Sequence, residues 1–353
     1  MFNSEQAIPS IERKGTPQKG LAAGLHTLSL EVLGSLIALV VLNFFTLWYL
    51  GNYSTNYGYW TLHKKWALLG KMESPVDWLI LGDSSCNQGT SPEIIQAQLG
   101  ESAINLCTIG NVTALNDVWM LEEYIQRFGP PKGVVVVHVY DVWSRDLDPL
   151  ILGQIPRSWE FWKVHTLGDD LLGDPDLRSA VFQERFVPLL SQRLTLTSLL
   201  RSFVIGQQIP FKSKWDMDEF GFLSATQARP QNAIQDGEDH MQFVSENDPG
   251  VSAINQQALE RLAELAEVNQ MPVYLVNSPL YEGLYADDEF QTYLAKTFAQ
   301  ISAILEGNPY THLISEIKTF PASELQTADH LTLPGARVYT EWLVQNVFSR
   351  FGG

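Results

Sequence analysis

From Val32 to Leu50 the chain reads VLGSLIALVVLNFFTLWYL, without one charged side chain. Crossing the hydrocarbon of a bilayer takes about 20 such residues in a helix, and in lipid only a helix or a closed barrel satisfies its own backbone. This run therefore fixes one element before any other is considered: a single transmembrane helix over 32–50. A cleaved secretory leader has an apolar stretch of about 7 to 15 residues and a small-x-small exit. Here the run leaves through WYLGNYSTNYGYW, so an uncleaved anchor is expected. A core helix of a soluble protein seldom runs this far without a charge. Trp48, Tyr49, Tyr53, Tyr57, Tyr59 and Trp60 cluster at its end, where amphipathic rings favour the headgroup level. Arg13, Lys14 and Lys19 precede it, and the positive-inside tendency keeps them cytoplasmic, with Lys64, Lys65 and Lys71 as the opposing signal. The expected organisation is a flexible polar tail over 1–24, an anchor over 25–51, a juxtamembrane connector over 52–75 and a folded domain over 76–350. That describes a single-pass protein of the cell membrane, N-terminus cytoplasmic, main domain extracytoplasmic.

After the anchor a strand–helix rhythm sets in. WLIL (78–81), AINLC (103–107), GVVVVHVY (133–140), MPVYLVN (271–277) and THLIS (311–315) are near-continuous apolar runs, the mark of parallel strands covered on both faces. NDVWMLEEYIQRF (116–128), INQQALERLAELAEVNQ (254–270) and PGARVYTEWLVQNVFSRF (334–351) carry apolar residues at helical spacing. With 45% apolar residues over 353 positions there is ample core. The fold class expected is α/β, a doubly wound, flavodoxin-like parallel sheet of about five strands. Between 144 and 249 the rhythm stops, and Trp159, Trp162, Trp215 and several prolines mark a mainly irregular or helical insertion rather than plain loop.

Forty acidic against 23 basic residues give a net charge of −17, which argues against nucleic acid or anionic lipid as a general surface partner. No Cys-x-x-Cys or His-Glu-x-x-His spacing occurs, so neither a metal nor another cofactor is implied. His138, inside VVVVHVY, reads as a hydrogen-bonded core residue, and His240, in DGEDHMQF, as a solvated one. Asn52 and Asn111 stand in NYS and NVT sequons, informative only in a glycosylating compartment. Cys86 and Cys107 follow the first and second strands, whose ends are neighbours in such a sheet. Two buried free thiols are the favoured reading, a disulfide the alternative that an oxidising compartment allows.

The stretch VDWLILGDSSCNQGTSPEII, 76–95, ends its strand abruptly at Gly82-Asp83-Ser84-Ser85. One reading is an ordinary helix N-cap. The other is a serine nucleophile just past the carboxyl end of a strand, where open parallel sheets bind ligands and helix N-termini offer free N–H groups. Near the C-terminus TADHLTLPGARVYTEWL sets His330 in a loop before the last helix. From there a histidine reaches the same sheet edge and can serve as the serine's base.

With those two elements the chain resembles the SGNH/GDSL hydrolases. The Gly-Asp-Ser of LILGDSS matches the family's first block, Gly110 in INLCTIGN its second, and DHLTLPGA its last. The longer pattern GDSS…GTSP…INL…PKGVVV is similar to the membrane-anchored branch that accompanies O-acyltransferases in cell-wall or exopolysaccharide modification. Residues 76–141 and 271–345 carry the likeness. It implies Ser84 as nucleophile, His330 as base, and groups around Ser84, Ser85, Gly110 and Asn111 as oxyanion or substrate contacts. Thr327 stands where the family has its aspartate, three residues before the histidine. Asp329 is the acid that remains, directly adjacent to His330, where neighbouring side chains are poorly placed to face one another. The family's third-block asparagine has no counterpart in HVYDVW, so Tyr140, Asp141 or nothing fills that place.

Two classes of function follow. One is a membrane-anchored serine esterase or O-acyltransferase acting through Ser84 and His330 on acyl esters of extracytoplasmic glycans or a similar cell-envelope substrate. Its partners would be the bilayer around 32–50, the glycan and a membrane-bound O-acyltransferase. The other is a catalytically inactive protein of the same fold that binds or assembles a polysaccharide-modifying membrane complex.

Overall fold

The computed structural model describes residues 19–206, 213 and 215–349, and the tail over 1–18 lies outside them. Contacts divide the chain into two compact units, residues 1–46 and 47–353. Helix α1, Lys19–Tyr53, starts in the first and ends in the second. The helix begins at Lys19, so residues 19–24, expected in the tail, are helical. From Leu30 to Tyr53 it is long and apolar enough to cross a membrane. Leu33, Leu36, Leu39, Val41 and Leu42, which point to all sides of the helix, are exposed, and a helix apolar all round needs an apolar surrounding.

The second unit is built on five parallel strands: β1 (Trp78–Gly82), β2 (Ala103–Asn105), β3 (Gly133–His138), β4 (Val273–Asn277) and, after the two-residue β5 (Leu280–Tyr281), β6 (Thr311–Ile314). Their spatial order is β2-β1-β3-β4-β6, and β5 pairs separately with β7 (Thr319–Phe320). Register puts Leu79 beside Val134 and Val134 beside Val273. Side chains alternate across the sheet. Leu79, Leu81, Val134, Val136 and Leu275 join the core formed with α2 (Tyr57–Lys71) and the helices Thr113–Phe128 and Ala253–Asn269. Ile80, Val135, Val137 and Val276 join the opposite core, with Cys86, Ile95 and the helix Leu333–Leu343. Both faces are covered, which is why the strands read as unbroken apolar runs. The protein is α/β with a five-stranded parallel sheet.

Residues 57–71 depart from a juxtamembrane connector. Asn56 caps α2 by accepting from the Tyr59 amide, and Leu62, Trp66 and Leu69 of α2 are buried in the core. Tyr59 and Trp60 are accordingly inside the protein rather than at headgroup level. Lys65, fully buried, donates to Asn105 O and Oδ1, 2.8 Å each, and to Gly221 O, locking α2 to the end of β2 and to the insertion. Burial holds its pKa far below the ordinary lysine value. The insertion over 144–249 is mainly helical among its described residues, from Pro149 to Val204 and again over Pro230–Glu246.

Candidate active site

Gly82 ends β1 with φ at 138°, and a Cβ there would lie 1.9 Å from Val137 O. Only glycine permits this approach and angle. Asp83 then caps α3 (Ser84–Gly89), its Oδ1 accepting from the Ser85 amide at 2.9 Å and from Ser85 Oγ at 2.5 Å. The N-cap is thus the aspartate, and Ser84 begins the helix half-exposed, its hydroxyl uncommitted among the described residues. Ser85 is corrected as a contact: it is buried and both its polar groups are used by Asp83.

Under this turn lies a buried cluster of ionisable groups. Asp83 Oδ2 accepts from the Val139 amide at 2.7 Å and sits 3.4 Å from His138 Nδ1. His138 Nε2 is 2.6 Å from Asp117 Oδ2, and Asp117 Oδ1 accepts from the Gly82 amide at 3.2 Å. Burial alone would keep His138 neutral, but Asp117 and Asp83 outweigh it and raise its pKa to about 9. Burial likewise opposes the charge on Asp83, yet His138, Ser85 and the Val139 amide hold its pKa below the ordinary carboxylate value. His138 is a bonded core residue, as its position in the strand suggested. Its two acids come from other elements and gave no local signal.

His330 sits in a turn closed by Gln326 N to His330 O at 2.8 Å and flanked by a bridge between Leu325 and Leu331. Its Nδ1 is 2.6 Å from Asp329 Oδ1 and 2.7 Å from Thr327 Oγ1, and Thr327 also donates to Asp329 at 2.8 Å. The expectation that adjacent side chains would diverge is overturned. Divergence holds for extended backbone, and this backbone turns. Burial opposes charge on both partners, but their mutual attraction wins, lowering the pKa of Asp329 and raising that of His330. The hydrogen bonds of the ring all fall on Nδ1, leaving Nε2 without a partner among the described residues.

Ser84 and His330 line one cleft of about 210 Å³ together with Gly110, Arg145, Asp236 and His240. No direct Ser84–His330 hydrogen bond is formed, a looseness common before substrate binds. Gly110 opens a helical turn after β2, and the amides of Ser84 and Gly110, each first in its turn, have no intrahelical acceptor. Asn111 is exposed on the rim, its Oδ1 3.5 Å from Arg145. Asp141 is corrected: its carboxylate does not line the cleft but holds the Arg145 guanidinium. Arg145 takes the place beside Gly110, where a Cβ would lie 2.9 Å from its Nη1. Tyr140 is buried with its hydroxyl 2.8 Å from His240 Nδ1.

Three cleft residues escaped the sequence: Arg145, Asp236 and His240. All come from the insertion, the last two from the helix Pro230–Glu246. Asp236 accepts from the Ala328 amide at 2.7 Å, bracing the His330 turn. His240 is mostly covered and lines the cleft, correcting its reading as a solvated side chain. The one local hint was the helical i, i+4 spacing of Asp236 and His240. Ligand atoms of Asp236, His240 and Asp329 lie within 4.8 Å of one another; with Asp329 engaged on His330 and Asp236 on an amide, this set gets no metal assignment.

Cys86 and Cys107 form a disulfide, with Cα atoms 5.8 Å apart, which corrects the free-thiol reading. The parallel pairing of β1 and β2 brings their carboxyl ends together, so the bridge ties the Ser84 helix to the segment leading to Gly110.

No family model and no curated protein matches the chain. Among solved structures it is similar to one from Streptococcus pneumonia provisionally assigned as a platelet activating factor, with 10% identity over 86% of this chain and 97% of the other, at a TM-score of 0.36. So low a score carries no conclusion about this chain's fold or activity.

Proposed function

We propose that the chain is a membrane-anchored, serine-dependent acyl-ester hydrolase or O-acyltransferase of the SGNH kind. The observation that carries the reading is His330, held at Nδ1 by Asp329 and Thr327, with Nε2 unpartnered among the described residues, in the cleft that Ser84 lines. An unassisted serine hydroxyl is a weak nucleophile, and a positioned imidazole makes it competent. In this scheme Ser84 Oγ attacks the acyl carbonyl while His330 Nε2 takes its proton. The Ser84 and Gly110 amides hold the oxyanion, worth about 3 to 4 kcal/mol per donor. His330 returns the proton to the departing alcohol, and the Ser84 ester is resolved by water or by an acceptor hydroxyl.

The strand order β2-β1-β3-β4-β6 supports a doubly wound, flavodoxin-like arrangement, with Ser84 where the order reverses between β1 and β3. The disulfide supports an extracytoplasmic, oxidising location for the domain. The cleft continues into a depression rimmed by Asn56, Tyr57 and Gly58, a few residues beyond the end of α1, and an open groove there with mixed polar and apolar lining suits the acyl esters of a cell-envelope glycan. A membrane-bound O-acyltransferase as partner rests on the resemblance alone. A fluorophosphonate probe tests the chemistry: it should label Ser84, and Ser84→Ala or His330→Ala should abolish labelling. Folded wild-type protein that takes no label would refute it. The missing Ser84–His330 hydrogen bond favours, as the second reading, a non-catalytic binding or assembly protein.

A further inference from the structure

The insertion carries an amphipathic helix that the cleft does not use. In Arg193–Val204, RLTLTSLLRSFV, Leu196, Leu199, Leu200, Phe203 and Val204 recur at helical spacing and form one stripe, with Ser198, Arg201 and Ser202 on the other side and Leu194, 79% exposed, the one apolar residue among them. No residue of this helix is buried. Leu199 packs against a cluster of Tyr49, Leu50, Tyr53 and Tyr59, while Leu200, Phe203 and Val204 stay 64%, 63% and 81% exposed. Tyr49, Leu50 and Tyr53 belong to the last turns of the apolar stretch Leu30–Tyr53. The bare stripe is therefore continuous with the end of the span.

The local charge suits the same segment. The chain has 40 acidic residues, yet none between Phe186 and Trp215, where Arg193, Arg201, Lys212 and Lys214 occur. An acid-free basic segment is where a strongly acidic protein can approach anionic headgroups.

We infer that Arg193–Val204 lies in the plane of the membrane interface as a second contact with lipid, Leu200, Phe203 and Val204 entering the acyl boundary and the arginines reaching headgroup phosphates. The inference rests on the reading of α1 as a membrane anchor. The bilayer is the occupant because the stripe continues from the end of the span and the local charge is opposite to that of anionic lipid. Two contacts fix the domain's tilt where one helix would leave it free to swivel. The Asn56–Gly58 rim of the cleft is then held near the surface, suited to a substrate presented there.

Nitroxide labels on the full chain test this, one cysteine at a time, the native pair being bridged. Leu200→Cys, Phe203→Cys, Ser198→Cys and Leu39→Cys are reconstituted in phosphatidylcholine vesicles with a minority of phosphatidylglycerol. Collisions with oxygen, relative to a water-soluble nickel chelate, should be several-fold more frequent at 200 and 203 than at 198, approaching those at 39. Labels at 200 and 203 as open to nickel as the one at 198, with position 39 shielded, would overturn the interfacial helix while leaving the anchor intact and a protein as the stripe's occupant. A label at 39 open to nickel would overturn the anchor and the inference together.

Discussion

Replacing His138 by glutamine removes the one cation between two buried carboxylates, Asp83 and Asp117. The rise in pKa from 6.5 to about 9, at about 1.36 kcal/mol per pH unit, corresponds to about 3 kcal/mol of stability from the charged form. Because the folded pKa lies above the unfolded one, that contribution is fully present below pH 6.5 and is lost as pH rises through about 9. His138→Gln should therefore be less stable by about 3 kcal/mol near pH 6, within the range for breaking a buried pair. The gap should narrow once the wild-type imidazole is neutral, at about pH 10. Thermal unfolding of the protein in detergent, followed by near-UV circular dichroism of its tryptophans, reads this out as a midpoint lower by roughly 6 to 12 °C at the acid end. A loss of equal size at both ends of the pH range would show that shape, not charge, is what His138 supplies. Because Asp83 caps the Ser84 helix, the same variant should also weaken fluorophosphonate labelling of Ser84.

Asp329→Asn should lower esterase activity by about 10²–10⁴-fold, as in other triads whose acid is neutralised, and move the acid limb of the rate profile to lower pH, since the carboxylate that raises the His330 pKa is gone. An unmoved limb would deny the contact a role. Thiol counting on denatured, unreduced protein should find none, and joint replacement of Cys86 and Cys107 by alanine should cost about 3 kcal/mol by loop-entropy reasoning; free thiols in the wild type would rule the bridge out. Lys65→Met leaves Asn105 O and Gly221 O without this donor, while Asn105 Oδ1 keeps the Cys107 amide, and should cost about 2 to 4 kcal/mol in denaturant unfolding. A loss under about 1 kcal/mol would mean that repacking or water replaces the amine.

The uncharged run over 32–50, the apolar strands and the turn at Gly82 are local signals, and each was legible in the sequence. Hydrocarbon demands length without charge, a sheet covered on both faces demands unbroken apolar strands, and φ at 138° against Val137 O demands glycine. Ser84 and His330 could be singled out because each follows or precedes a recognisable element. Their environment could not, because it is assembled across the chain. The bond between Asp329 and His330 depends on a turn closed by Gln326, and Arg145 fills the place beside Gly110 only because Asp141 turns away to hold it. Asp236 and His240 enter the cleft from a helix whose own sequence reads as solvated surface. Cys86 and Cys107 show the division most plainly: the sequence placed them at neighbouring strand ends, and whether they were thiols or a bridge was decided by the approach and direction of two backbones that only packing sets.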